Sequence, residues 1–132
     1  MTDERLDLWI AYFVNLRNVL KLSEWRIILE DKLPDNPDCG AAVQTLYGRR
    51  VASVRLCYGW DDLGPERQRL YATHELLHLY FTPIQSVMDR AKECFGDQAE
   101  LAASYHMEQM EYAIDGLAEA IAPLLPLPED TE

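Results

Sequence analysis

ATHELLHLY, residues 72–80, holds two of the chain's three histidines, four residues apart, with a glutamate directly after the first. On a helix, positions i and i+4 stand one above the other, so His74 and His78 present their imidazoles on one face. Two ring nitrogens placed that way can reach one zinc ion at about 2.0–2.1 Å. Glu75 is one step around the helix, about 100° from His74. It flanks such a metal without ligating it, where a general base for metal-activated water must stand. Three readings follow: a zinc site that hydrolyses, a zinc site without chemistry, or two histidines satisfied in an ordinary core. Shuffling places this three-residue pattern in a chain of the same composition in roughly 0.4% of cases, so the motif needs support from outside itself. "LLHLYF" is apolar on all sides, which marks a central helix and makes unpartnered imidazoles there costly.

A catalytic zinc site has three protein ligands and one open position. In the last helical segment, Met107, Glu111, Ile114, Ala118 and Ile121 recur at spacings of 4, 3, 4 and 3, so Glu111 is expected within an apolar, core-facing row. A lone carboxylate there is expensive unless paired or bound to metal. Glu108 lies among Ser104, Tyr105 and Tyr112, where ordinary solvation explains it. Asp115, one turn after Glu111, can accept a ligand histidine's second N–H or serve as a plain surface charge. His106 is about 140° from Glu111 around the helix, too far to share the metal, and its role stays open.

Working outward, residues 3–22 carry Leu6, Trp9, Ile10, Phe13, Val14, Leu16 and Leu20 at helical periodicity. Trp25, Ile27 and Leu29 alternate with Arg26 and Glu30, which predicts a strand. The prolines, Asn36 and Gly40 of "DKLPDNPDCG" predict a loop. "AAVQTLY" and "VASVRLCY", joined by Gly48-Arg49-Arg50, predict a hairpin whose second strand turns Ala52, Val54, Leu56 and Tyr58 to the core. Pro65 suits the first turn of the motif helix, which is expected to end at Thr82-Pro83. A shorter helix with Ile84, Val87, Ala91 and Phe95 on one side is then expected to stop at Gly96. Asp97 and Glu100 resemble a capping box opening the last helix, which runs to about Ala122.

A chain of 132 residues matches one compact domain. A net charge of -11, with basic residues scattered apart from Arg49 and Arg50, argues against nucleic acid as partner. Cys39, Cys57 and Cys94 have neither the number nor the spacing of a disulfide framework, which fits a reducing cytosol. The acidic start MTDERLDLWI is unlike a signal peptide, and no apolar run is long enough to span a bilayer. A cytoplasmic location without membrane partners is therefore expected.

His74-Glu75-Leu76-Leu77-His78, followed by Glu111-Tyr112-Ala113-Ile114-Asp115, resembles the HExxH…ExxxD pattern of gluzincin-type zinc metallopeptidases. In size the chain resembles minimal gluzincins and the short zincin-like proteins of phages and mobile elements, some of which cut repressors. The resemblance implies one Zn2+ on His74, His78 and Glu111, Glu75 as general base, and Asp115 as the partner of a ligand histidine. It implies a protein or peptide substrate, a repressor-type protein among the candidates. It also implies that the strand before the motif helix, Val51–Tyr58, is a sheet edge that pairs with extended substrate. Tyr105, His106 and Tyr112 are the candidates for stabilising an oxyanion. The fold expected is α+β and zincin-like: an N-terminal helix, a three-stranded antiparallel or mixed sheet, the HExxH helix, a short helix and a long C-terminal helix. One domain is expected over residues 1–122, followed by an acidic, proline-rich tail over 123–132. A zinc-binding regulatory or interaction module without catalysis is the alternative.

Overall fold

A computed structural model describes residues 1–46 and 48–128. Helix α1 (Asp3–Val19) opens on Thr2, whose hydroxyl accepts from the Arg5 N–H and so caps the first turn. Strands β1 (Arg26–Glu30), β2 (Ala41–Leu46) and β3 (Val51–Leu56) follow, then a 3-10 turn at Trp60–Asp62. Helix α2 spans Pro65–Phe95 and α3 spans Asp97–Ile121. The order in the sheet is β1-β3-β2, with β3 parallel to β1 and antiparallel to β2. Three helices with a small mixed sheet make the chain α+β.

The alternating strands deliver their apolar sides inward. Ile27 and Leu29 of β1 and Ala52, Val54 and Leu56 of β3 are buried against Trp9, Phe13 and Leu16 of α1 and Ala72, Leu76 and Leu79 of α2. Trp60 plugs the end of this core, edge-on to Trp9 with ring centroids 5.4 Å apart. A second, smaller core lies between the last two helices, where Leu77 of α2 packs with Met110, Ile114 and Ala118 of α3. Helix α2 is therefore central, sheet on one side and α3 on the other. That placement explains why "LLHLYF" is apolar nearly all round.

Several expectations change. The two helices foreseen on either side of Thr82-Pro83 are one continuous helix of 31 residues, with Pro83 inside it. A proline there removes one backbone hydrogen bond. The hydroxyls of Thr82 and Ser86 donate back to the His78 and Thr82 carbonyls, and α3 lies alongside, so packing carries the helix through the break. The capping box at Asp97 does not form: Asp97 is already helical, and Gly96, at φ 59°, serves as the hinge between α2 and α3 with no side-chain cap. Tyr58 is 92% exposed rather than inward, because β3 ends at Leu56 and the chain turns at the left-handed Gly59. Tyr47, foreseen as a strand residue, lies outside the described residues.

The foreseen tail divides. A 3-10 turn at Ala122–Leu124 follows α3 and Leu125 after it is buried in the main core, while the Pro126 and Leu125 carbonyls accept from Tyr12 Oη and Arg69. The acidic end at 129–132 lies outside the described residues. No helix among the described residues is long and apolar enough to cross a membrane.

Candidate metal centre

His74, Glu75 and His78 come from the middle of α2, where the helix passes beneath the free edge of the sheet. Glu111 and Asp115 come from α3. The Nε2 atoms of both histidines point at the same carboxylate: His74 Nε2 lies 3.2 Å from Glu111 Oε2, and His78 Nε2 lies 2.9 Å from Oε1. Ligating atoms of His74, His78 and Glu111 all lie within 4.8 Å of one another. Two imidazole nitrogens and one carboxylate oxygen are a donor set suited to zinc and similar first-row metals, so this trio can hold a metal ion.

The surroundings favour that use. His74 Nδ1 lies 3.0 Å from Asp115 Oδ1, so that an N–H donated there would leave Nε2 as the atom that ligates a metal. Burial, the largest cause, holds His78 below the ordinary histidine pKa; His74 acts in the same direction, and Glu111 and Asp115 oppose it. Neutral imidazole is the form that ligates.

Glu75 stands apart from the trio's shared focus, its Oε1 4.0 Å from His74 Nε2. Burial pushes its carboxyl up to about 8, Glu111 adds its charge, and a backbone hydrogen bond from Val43 pulls the other way. A bound cation would favour the carboxylate again. The Val43 contact was not legible in the sequence. It exists because β2, and not β3, is the edge strand beside α2. The expectation that Val51–Tyr58 forms a substrate-pairing edge is thereby overturned: β3 is paired on both sides. The Gly40 carbonyl accepts from Cys57, so β2 turns the N–H groups of Ala41, Val43 and Thr45 away from the sheet. Gly40 makes this approach possible, since a Cβ there would meet the Tyr71 ring at 2.5 Å.

These parts line an open cleft of about 640 Å³, floored by His74, Glu75, His78 and Glu111 and walled by β2 on one side. Cys39 also lines it, its thiol raised by burial and then by the charges of Glu75 and Glu111. A cavity of about 480 Å³ near Met1, Glu30 and Trp60 is of similar size, but the metal-capable cluster lies in the other one. Tyr105, His106 and Tyr112 do not line the metal cleft. Tyr105 and Tyr112 are 63% and 80% exposed on α3.

Glu111 reaches the site by a slightly different route from the one its spacing predicts. The core-facing row of α3 is Ala103, Met110, Ile114 and Ala118, while Met107 is 40% exposed and Glu111 half-buried. Glu111 thus sits on the flank of the row, where the interface with α2 opens into the cleft. Comparison of the chain with protein-family models, curated proteins and solved structures gives no match.

Proposed function

We propose that the chain is a zinc-dependent peptidase of the zincin-like kind, with a protein or peptide substrate, a repressor-type protein among the candidates. The observation that carries this reading is the convergence of His74, His78 and Glu111 in a cleft that also holds a buried carboxylate and a free strand edge. Zinc held by that trio would activate a water molecule and polarise a carbonyl. The remaining chemistry belongs to the chain itself. Glu75 takes a proton from the attacking water and delivers it to the leaving amine. Burial and the Val43 N–H hold its carboxylate in one place while it does so. Asp115 keeps His74 in the ligating tautomer. The outward N–H groups of Ala41 and Thr45 are available to an extended peptide laid along β2, since Val43 is engaged by Glu75.

A zinc-binding module without activity is the second reading. One observation favours it: the cleft lining among the described residues contains no tyrosine, lysine, arginine or third histidine to stabilise an oxyanion. A randomised peptide library offered to the zinc-loaded wild type and to Glu75→Gln separates the two readings. Both proteins should bind zinc alike, and only wild type should cleave. Cleavage by neither favours the silent module, and equal cleavage by both removes Glu75 from the chemistry.

A further inference from the structure

From His78, spacings of 4, 3 and 4 bring Thr82, Gln85 and Asp89 onto the same face of α2, and all four line the cleft. Gln85, Asp89 and Met107 also line the adjoining crevice between α2 and α3, so the cleft continues away from the metal trio along the helix. Asp89 stands about 16 Å beyond His78 at 1.5 Å of rise per residue. It is exposed and has no ion-pair partner among the described residues. Among the described residues no lysine or arginine lines the metal cleft; Lys92, three residues on, faces the crevice without an ion pair to Asp89.

We propose that Asp89 makes this arm of the cleft a subsite for a basic side chain, lysine or arginine, of a bound peptide. The proposal rests on the peptidase reading above and adds a substrate class to it. Three features match such a side chain. Asp89 supplies the opposite charge. The Gln85 amide nitrogen donates to Met107 Sδ at 3.2 Å, which leaves its Oε1 free to accept from an ammonium or guanidinium. Met107 offers apolar surface to the methylene stem. An extended chain at about 3.3 Å per residue covers the distance from the trio in about five residues. Allowing for the reach of a long side chain, the basic residue lies about three to five positions from the cleaved bond, on one side only.

The test uses the full chain loaded with zinc and a randomised peptide library. Peptides retained by Glu75→Gln are sequenced, and products of wild type are mapped. An exposed charge pair supports a preference of about two- to fivefold for lysine or arginine at one position, weaker in high salt. Asp89→Asn should flatten that preference, and Asp89→Lys should turn it towards acidic residues. Cleavage or binding with no basic preference, or one that Asp89→Asn leaves intact, overturns the subsite while sparing the peptidase. An Asp89-dependent preference in retained peptides without cleavage by wild type supports the subsite and removes the peptidase. Failure to retain or cleave any peptide overturns both.

Discussion

Asp115 shows how little a residue's exposure says about its importance here. Its side chain is 66% exposed, yet it holds His74 through Nδ1 at 3.0 Å. Asp115→Ala is expected to weaken metal affinity about 10–100-fold in competition with a chelator. Metal-free stability should change by no more than about 0.5 kcal/mol, as for other surface positions. Loss of stability without loss of affinity would make the contact incidental. Glu111→Gln should weaken metal binding far more than Glu108→Gln, because Glu108 is exposed and outside the ligand trio. Equal loss from both would place the third ligand elsewhere. At this scale much was readable in the sequence: the i, i+4 spacing of His74 and His78 fixes a shared helix face before any tertiary contact forms. Glu111 was readable through its periodicity, although the row it was assigned to is rotated towards Met110. What spacing could not reveal is that Val43, 32 residues before Glu75, supplies its backbone partner.

Among the elements, β2 and α2 carry the consequences. Alternation identified the strands, but edge and centre differ only by sheet order, which depends on the parallel crossover from β1 to β3. Local sequence contains no trace of that choice. The small residue that lets β2 approach α2 is Gly40, so Gly40→Ala should drive the strand off the Tyr71 ring. A loss of about 1–3 kcal/mol is expected, with weakened peptide binding if β2 is the substrate edge. Unchanged stability in denaturant titration would mean that the ring yields freely. Thr82-Pro83 is a fair stop signal locally, and it was overridden because the helix on both sides packs against α3. Since α2 continues through Pro83, Pro83→Ala should stabilise the chain by about 1–3 kcal/mol. Destabilisation would indicate that the proline ring itself is needed where it stands.

For the whole molecule, the N-terminal helix is tied to the body by polar contacts beside the aromatic core. Arg5 and Trp9 Nε1 both donate to Asp61, the latter at 3.0 Å. Burial works against the ionised carboxylate, but these hydrogen bonds and the Arg5 charge outweigh it and hold Asp61 below the ordinary aspartate pKa. A carboxyl depressed by folding stabilises fully above its unfolded pKa, about 4, and loses that contribution as pH falls through the folded value. Asp61→Asn should therefore narrow the stability difference between neutral and acid solution; an unchanged difference would assign the acid sensitivity to other carboxylates. The α+β layout was legible from periodicity, whereas the docking of Leu125 was hidden by the prolines around it. The site lies where the main core, the second core and the free edge of β2 meet, a place that only the assembled fold defines. Metal content tests the account's foundation most directly, measured by elemental mass spectrometry on chain purified without added metal. Wild type and Glu75→Gln should each carry close to one zinc per chain, and His78→Ala and Glu111→Gln far less. Wild type with little zinc, or zinc retained in full by His78→Ala, would contradict a metal centre at His74, His78 and Glu111.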